Sequence, residues 1–468
     1  MKFKRMIIVI SVIAAMLSLT ACGSKNGDEA TTETSTEATT NAALKEIDFD
    51  AEGIATKFIN DFQSGSFETL LSDYDYVDAM KEQFTIEAME EISKQLLKAY
   101  GSFIDTHGIK NQQNEEYHIV TIGANHENKD LAYNVVFTFD GKIAGFNYQE
   151  ISSVEDYFDG EIKGAIETEV TFGEADYLIE GTLSIPEGDA GPYSVVVLVH
   201  GSGPNDRNES IYGNKPFKDI ANGLIKQGIA VLRYDKRTFT HIDKFNDPAL
   251  VADFTIYDEV VDDAKYAVEY LSTHERIDAD NIYVVGHSLG GNQAPRIAKD
   301  NDLVAGIALM AGNVTPLQTL IVKQYEYLLG LDGSMSDSDN QQLDSIKKAA
   351  ELISSDALTL ETDMNATMGL SPKYWMDIKT YNPAAEAKDL DIPILVLQGA
   401  RDYQVTVSEF EKWQTELGGA GEYKLYDDLN HLFMTGEGMS KPEEYTTAGK
   451  VSDQVINDIA AWIKDNSK

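Results

Sequence analysis

The sequence predicts a mostly parallel, doubly wound α/β sheet that is preceded by a small α+β domain. Apolar runs of strand length alternate with helical sequence from residue 193 onward, as in parallel strands covered by helices on both faces. One of these strands ends at Gly286 and leads through a Gly-x-Ser-x-Gly turn into a helix-compatible segment. Earlier in the chain, amphipathic helical stretches precede alternating strands, which is typical of an α+β domain.

Length and charge narrow the classes of function. A chain of 468 residues, 43% of them hydrophobic, is long enough for two folded units. The 38 Lys plus Arg against 78 Asp plus Glu give a net charge of −40, and no basic cluster follows the first five residues. We therefore expect no nucleic-acid partner, and a well-solvated surface suffices to explain the acidity.

The N-terminus predicts export. Three basic residues within the first five precede the uncharged run 6–21, which is short for a membrane-spanning helix. The sequence Leu19-Thr20-Ala21-Cys22 resembles the lipobox of bacterial lipoproteins, and Cys22 is the only cysteine. Residues 1–22 are thus interpreted as a lipoprotein signal peptide and lipobox. The folded body would be held on the extracytoplasmic side of the cell membrane by a lipid on Cys22. A plainly cleaved signal peptide with an incidental thiol is the alternative.

We interpret residues 23–45 as a disordered tether, because they contain no aromatic residue and almost nothing apolar.

We interpret residues 46–150 as the small α+β domain. Its expected helices are Ala51–Phe62 and Thr85–Tyr100, and its expected strands are Tyr117–Ile122, Leu131–Phe139 and Lys142–Tyr148. Its three histidines follow no metal-ligand spacing, so we assign them no chemistry.

Residues 160–468 predict the second folded unit. Two antiparallel strands, Lys163–Phe172 and Tyr177–Ile185, lead into the wholly apolar strand Tyr193–Val199. The elements expected after them alternate: helix 217–227, strand 229–234, helix 255–272, strand 281–286, helix 289–299, and strands 303–310, 392–398 and 423–426. This alternation favours a doubly wound sheet.

An insertion of about seventy residues separates Ala311 from Asp389, where an ordinary crossover needs about a dozen. We interpret residues 313–388 as a helical cap, with helices at Pro316–Leu329, Asn340–Ser354 and Lys373–Thr380. Its large apolar residues could line a pocket or simply pack the cap onto the body. They are Tyr325, Tyr327, Met364, Met368, Tyr374, Trp375 and Met376.

The turn Gly286-His287-Ser288-Leu289-Gly290 has the sequence of a nucleophile elbow. A sharp strand-to-helix turn would expose the Ser288 side chain, and the flanking glycines avoid a Cβ where the backbone is crowded. The Leu289 amide, at the start of the following helix, would point toward an oxyanion. A chance match is the alternative, so the partners of Ser288 decide the interpretation.

Those partners should follow the serine in the order acid, then histidine. Only His431 of the eight histidines lies beyond Ser288, so it is the candidate general base. Asp402 directly follows a buried strand and is the candidate acid. Asp427 and Asp428 are too close to His431 in sequence to come from another strand end, and we expect them to be solvated.

A second oxyanion donor is expected in the loop after the early strand, which reads His200-Gly-Ser-Gly-Pro204. Two glycines let the backbone approach a tetrahedral oxygen, and two preorganised amides are commonly the largest electrostatic contribution to acyl transfer. We select the amide of Ser202. The alternative is a mere glycine turn.

Four motifs together carry a family resemblance: 200–209, 233–237, 286–298 and 399–402. They resemble EstD-type carboxylesterases of the α/β-hydrolase superfamily, over residues 160–468. The first motif usually has Asp where this chain has Asn208. The resemblance implies the α/β-hydrolase fold and ester hydrolysis. The segment 46–150 is similar to the small domain of unknown function that often precedes a hydrolase domain in exported bacterial proteins.

The predicted reaction is hydrolysis of a small-molecule ester. Ser288 would attack the carbonyl while His431 takes its proton, Asp402 would orient the imidazolium, and the amides of Leu289 and Ser202 would hold the oxyanion. No metal or organic cofactor is required. Two rival interpretations are a serine aminopeptidase-like peptidase on the same fold and a non-catalytic binding lipoprotein. Acyl transfer and dienelactone hydrolysis also stay open.

An aminopeptidase must recognise a free ammonium group, which calls for carboxylates in the pocket. The cap contains acidic residues that alternate with lysines and polar residues, and this pattern predicts a solvated face instead. They are Glu326, Asp332, Asp344 and Glu351. We therefore expect an ester substrate with a short or medium acyl chain.

Overall fold

The computed structural model describes residues 47–468 apart from 114–116, 152–153, 155–161 and 189–190. The predicted signal peptide, lipobox and tether, including Cys22, lie outside the described residues. Within the part of the chain that is described, no helix is both long and apolar enough to cross a membrane.

The N-terminal unit is a four-stranded antiparallel meander packed against helices. Its helices are α1 (Ala51–Gln63), α2 (Phe67–Ser72), α3 (Asp78–Gln83) and α4 (Ile86–Tyr100). Its strands are β1 (Phe103–Gln113), β2 (Tyr117–His126), β3 (Asp130–Thr138) and β4 (Ile143–Ile151), paired in that order. Asp50 and Thr85 cap α1 and α4 by accepting hydrogen bonds from backbone amides. The predicted α+β architecture is confirmed.

Strand β1 was not predicted. Its sequence is mostly polar and its residues are exposed or half-buried, because β1 lies at the edge of the sheet and pairs only with β2. An edge strand of this kind lacks the apolar alternation by which strands are recognised in a sequence.

The second unit is built on an eight-stranded mixed sheet. Its strands are β5 (Ala165–Glu174), β6 (Tyr177–Pro186), β7 (Tyr193–Val199), β8 (Ala230–Tyr234), β9 (Ile277–His287), β10 (Val304–Met310), β11 (Ile394–Gly399) and β12 (Gly421–Tyr426). The strand order is β12-β11-β10-β9-β7-β8-β6-β5. The six strands from β12 to β8 are parallel, whereas β6 and β5 run antiparallel at one edge. This is the predicted α/β-hydrolase fold.

Helices cover both faces of this sheet, which explains why its central strands are apolar throughout. The helices of the body are α5 (Pro216–Lys226), α6 (Arg237–Thr240), α7 (Pro248–Asp253), α8 (Asp262–Ser272), α9 (Leu289–Ala298), α14 (Val407–Leu417) and α15 (Asp453–Asn466). Helices α8, α9 and α14 pack in the apolar core on one face, and α5 and α15 pack in the core on the other. The predicted helix 255–272 is observed as a π-helical turn, Tyr257–Val261, followed by α8.

The insertion between β10 and β11 is helical, as predicted. It contains α10 (Leu317–Gly330), α11 (Asp337–Ser354), α12 (Pro372–Ile378) and α13 (Pro383–Lys388). Helices α10 and α11 pack on each other, whereas α13 packs against α9 and α14 of the body. Of the helices of the insertion, α10 lines the cavity that contains Ser288.

Candidate active site

Ser288 lies at a strained turn between β9 and α9. Its backbone has φ 53° and ψ −114°, a conformation that costs energy for a residue with a Cβ. A Cβ at Gly286 would come within 2.2 Å of the Gly290 carbonyl oxygen, and one at Gly290 within 2.2 Å of the Val199 oxygen. The close approach of three backbone segments therefore requires glycine on both sides of Ser288, as the sequence predicted.

Asp402 and His431 meet at the carboxyl ends of β11 and β12. His431 Nδ1 lies 2.6 Å from Asp402 Oδ2, and both side chains are buried. Asp402 Oδ1 accepts hydrogen bonds from the amides of Gln404 (2.7 Å) and Val405 (3.0 Å). These contacts fix the carboxylate and, through it, the orientation of the imidazole. Asp427 and Asp428 are both exposed, as predicted.

Ser288 and His431 line the same cavity, which has a volume of about 100 Å³. No hydrogen bond joins the Ser288 hydroxyl to His431 among the described residues. Such contacts are often long in a ligand-free site and shorten when substrate binds. The structure thus brings the three predicted residues Ser288, Asp402 and His431 to one place.

The two predicted oxyanion donors also lie at this cavity. Leu289 begins α9, and its amide is one of the helix N-terminal amides that have no partner within the helix. The other donor, Ser202, follows β7 in the loop 200–204, and both residues line the cavity. No described residue accepts a hydrogen bond from the amide of Ser202 or Leu289, so both amides are available to a substrate oxygen.

The cap contributes the apolar wall of the cavity through one face of α10. Leu317, Leu320, Ile321 and Gln324 are spaced i, i+3, i+4, i+7 and all line the cavity. None of the seven large cap residues that were candidates for the pocket wall lines this cavity. Tyr374 and Trp375 are fully buried and pack the cap onto the body. Of the two alternatives that the sequence left open, packing of the cap onto the body therefore holds for these two residues. Hydrophobicity alone does not tell which face of an inserted helix points at the site.

One carboxylate lines the cavity, and it was not singled out from the sequence. Glu209 is 3% exposed, and its Oε1 accepts a hydrogen bond of 2.6 Å from the Gly201 amide. Its Oε2 lies 2.9 Å from His287 Nδ1, and His287 Nε2 donates to the backbone oxygen of His431 at 2.9 Å. Both Glu209 and His287 lie inside motifs that carry the family resemblance, and this is the only feature of the sequence that could have indicated their place at the site.

Each of these two groups favours the charged form of the other. Burial disfavours the imidazolium, but the charge of Glu209 and contacts with it outweigh burial and raise the pKa of His287. Burial likewise disfavours the carboxylate, but His287 outweighs it and the pKa of Glu209 is lowered. In contrast, burial lowers the pKa of His200 to about 3, so that histidine is neutral. His287, rather than His200, is therefore the neighbour that offsets the charge of Glu209.

The acidic residues of the cap are placed as the sequence predicted. The four cap acids, Glu326, Asp332, Asp344 and Glu351, are exposed and none lines the cavity. No group of three or more His, Cys, Asp or Glu residues among the described residues could hold a metal ion. Asn208 is the position at which the first motif usually has Asp. Its side-chain oxygen accepts a hydrogen bond from Arg233, which also donates to Glu167.

Comparisons with known proteins cover both units. The family model described as serine aminopeptidase, S33, matches residues 191–437, and the model described as a protein of unknown function, DUF3887, matches residues 55–146. Esterase EstD of Thermotoga maritima is 36% identical over 426 residues, which cover 89% of this chain and 95% of EstD.

Two solved structures resemble the chain more weakly. Est1E from Butyrivibrio proteoclasticus is 15% identical, covers 64% of this chain and 98% of its own, and has a TM-score of 0.42. The Pyrococcus furiosus esterase PF2001 is 16% identical, with coverages of 65% and 92% and a TM-score of 0.40. These two likenesses are too weak to support an inference. The S33 model spans more than half of the chain and EstD is matched over nearly its whole length. The chain therefore belongs to the serine aminopeptidase S33 family and is a homologue of EstD.

Proposed function

We propose that this protein is a serine carboxylesterase with Ser288 as nucleophile, His431 as general base and Asp402 as the residue that orients the base. The observation that carries the proposal is the 2.6 Å contact of His431 with Asp402, beside a strained Ser288 in the same cavity. The homologue EstD is itself named an esterase, which favours ester hydrolysis over the other chemistries of the fold.

The reaction proceeds through an acyl-enzyme. The Ser288 oxygen bonds to the ester carbonyl carbon while His431 takes its proton, and Asp402 stabilises the imidazolium. When the tetrahedral intermediate collapses, His431 gives that proton to the departing alcohol. Water then attacks the acyl-enzyme with His431 again as base, and the carboxylic acid leaves as Ser288 recovers its proton.

The amides of Ser202 and Leu289 stabilise the oxyanion. Both lie at the cavity and neither is used by another described residue. Preorganised donors of this kind cost no reorganisation when charge develops on the carbonyl oxygen, and losing one typically costs about 10²- to 10³-fold in kcat.

The substrate is an ester with an acyl chain of about two to eight carbons. Leu317, Leu320 and Ile321 supply an apolar wall in a cavity of about 100 Å³. Each methylene buried there adds up to about 0.8 kcal/mol of transition-state binding until the cavity is full. In a series of p-nitrophenyl esters, kcat/KM should rise from acetate and then fall; a monotonic rise through long chains would contradict this assignment.

Aminopeptidase activity is the second candidate, since the matching family model is described as a serine aminopeptidase. It would require a carboxylate free to bind a substrate ammonium group. The exposed cap acids do not reach the cavity, and the Glu209 carboxylate already contacts Gly201 and His287. We therefore expect little cleavage of aminoacyl anilides. Faster turnover of anilides than of short esters would favour the peptidase and leave the catalytic residues unchanged.

A fluorophosphonate probe tests the nucleophile directly. Wild-type protein should be labelled on Ser288 and inactivated with one-to-one stoichiometry. Ser288→Ala should take no label and lose esterase activity, while Ser202→Ala, which keeps its backbone amide, should still be labelled. Labelling that persists in Ser288→Ala would refute the proposal.

We also propose that the protein is a lipoprotein anchored to the cell membrane through Cys22. The support is the sequence around this only cysteine, together with the basic and uncharged segments before it. Cys22→Ala should move the protein from the membrane fraction to the soluble extracytoplasmic fraction and abolish incorporation of labelled fatty acid. Should the variant stay in the membrane fraction, residues 6–21 act as an uncleaved anchor instead.

A further inference from the structure

In the oxyanion loop, defined here as residues 200–203, the backbone amides of Gly201 and Gly203 donate hydrogen bonds to carboxylates, whereas the amide of Ser202 between them does not. Gly201 N donates to Glu209 Oε1 at 2.6 Å, and Gly203 N donates to Glu259 Oε1 at 3.0 Å. The Ser202 amide between them has no acceptor among the described residues. Two carboxylates thus hold the neighbours of the one amide that is left to face the cavity.

Each carboxylate is buried beside a basic side chain. Glu209 Oε2 lies 2.9 Å from His287 Nδ1. Glu259 Oε1 lies 3.4 Å from Lys236 Nζ, and Lys236 is 1% exposed. Lys236 Nζ also donates to the Gly201 carbonyl oxygen at 2.9 Å, so it contacts the loop itself. A buried carboxylate without such a partner would be costly and would repel a developing oxyanion.

Both ion pairs continue to other parts of the site. Through the His287 contact with the His431 backbone oxygen, Glu209 links the oxyanion loop to the loop of the catalytic base. Glu259 Oε2 accepts a hydrogen bond of 2.7 Å from Tyr374 on α12, which links the oxyanion loop to the insertion. Two backbone irregularities accompany these carboxylates: Glu209 has φ 52°, and Glu259 lies on the π-helical turn. Irregularities of this kind concentrate at functional sites.

We infer that Glu209 and Glu259 are positioning residues that fix the oxyanion loop so that, of the loop's own amides, only that of Ser202 faces the substrate oxygen. His287 and Lys236 lie against these two carboxylates and offset their charge. This inference rests on the proposed function, because it assigns the Ser202 amide to the oxyanion. It predicts that the charge balance of each pair matters to kcat more than to KM.

The test compares the purified, full-length variants Lys236→Met, Glu259→Gln and the double variant on p-nitrophenyl butyrate. Lys236→Met leaves a buried carboxylate unopposed beside the oxyanion, and kcat should fall about 10²-fold with KM changed less than about threefold. Glu259→Gln retains an oxygen for the Gly203 amide, and kcat should fall about tenfold or less. The double variant should be more active than Lys236→Met, since removing the carboxylate removes the repulsion.

The matched control is Glu167→Gln, the same substitution in another buried pair. Glu167 contacts Arg233 at 2.7 Å but no amide of the oxyanion loop. It should lower the unfolding temperature while leaving kcat within about twofold. Unchanged kcat in folded Lys236→Met, or losses in the double variant that multiply as independent effects, would overturn the inference.

Should Lys236→Met fail to fold, Glu209→Gln tests the same point at the other pair. It keeps an acceptor for the Gly201 amide but removes the charge that opposes His287, so kcat should fall at least about tenfold. Normal kcat in this variant overturns the inference. The proposed function is tested separately by Ser288→Ala: loss of activity there, with normal kcat in the Glu209 variant, would reject only the positioning role.

Discussion

The two folded units of this protein bury different kinds of side chain. In the N-terminal unit, the described buried residues are apolar or aromatic apart from His118, Thr121 and His126. Phe58, for example, packs on the rings of Tyr74 and Phe146. The hydrolase unit buries many charged residues: Glu209, Lys218, Arg233, Lys236, Arg237, Glu259, Asp263, Arg296, Arg401, Asp402 and Glu409.

The difference indicates that buried charge in the hydrolase unit serves geometry more than stability. Replacing a buried ion pair by well-packed apolar side chains is often neutral or stabilising, so such pairs are weak evidence for stability. Here Glu209, Lys236, Glu259 and Asp402 all contact loops that border Ser288. We infer that these four charged residues position the site, whereas the N-terminal unit is held by apolar packing.

The largest expected effect lies in the hydrolase unit. Ser288→Ala and His431→Ala should each lower kcat on an aryl ester by at least about 10³-fold, since triad members act as a unit. A histidine substitution in the N-terminal unit, His126→Gln, should leave kcat within about twofold, because the hydrogen bonds of His126 with described residues are to Tyr133 and Gly101 of the same unit. Loss of activity in folded His126→Gln would contradict the view that the N-terminal unit does not contribute to the chemistry of the site.

Replacing a buried and an exposed aspartate by asparagine, one at a time, sharpens the comparison within the hydrolase unit. Asp402→Asn should lower kcat by about 10²-fold or more, but by less than Ser288→Ala, because it impairs the orientation and charge of the base without removing it. Asp427→Asn, on the exposed side of the same loop region, should leave kcat within about twofold. The opposite result would assign the acid to Asp427.

A core substitution in the N-terminal unit should change the free energy of unfolding rather than kcat. Phe58 is fully buried, and Phe58→Ala should lower the free energy of unfolding of that unit by about 3–5 kcal/mol, measured by denaturant titration. At temperatures where the variant is folded, kcat should be unchanged. A large fall in kcat in the folded variant would mean that the N-terminal unit supports the site.

The smallest expected effect is a pH dependence of stability from the Glu209–His287 pair. Because the pKa of His287 is raised in the folded protein, its stabilising contribution is complete below about pH 6.5 and is lost as pH rises through the folded-state pKa. Glu209, whose pKa is lowered, titrates below this window. Glu209→Gln removes the main cause that raises the His287 pKa.

The wild-type advantage in unfolding free energy over Glu209→Gln should therefore shrink between pH 6 and pH 9. Asp402, His431 and the neutral His200 face His287 in both proteins, so the difference between the two proteins isolates the Glu209–His287 pair. Chemical denaturation of both proteins across that range measures the effect. A constant or growing difference would mean that His287 is not protonated by its contact with Glu209.

Much of the fold was readable because its elements have strong local patterns. The apolar runs at β7 and β10 and the glycines around Ser288 predict buried strands and a sharp turn from sequence alone. Strand β1 and the π-helical turn were missed. The first is a polar edge strand, and the second depends on packing rather than on hydrophobic periodicity.

The sequence by itself determined the candidate nucleophile, base and acid, since the elbow motif, a single downstream histidine and an aspartate after a buried strand leave few choices. Only the tertiary structure decided which face of α10 forms the cavity wall and that Glu209 and Glu259 hold the oxyanion loop. The two carboxylate contacts join residues 8 and 56 positions apart in the chain. Their pairing depends on how strands and loops are brought together, and no local pattern of hydrophobicity or spacing encodes that arrangement.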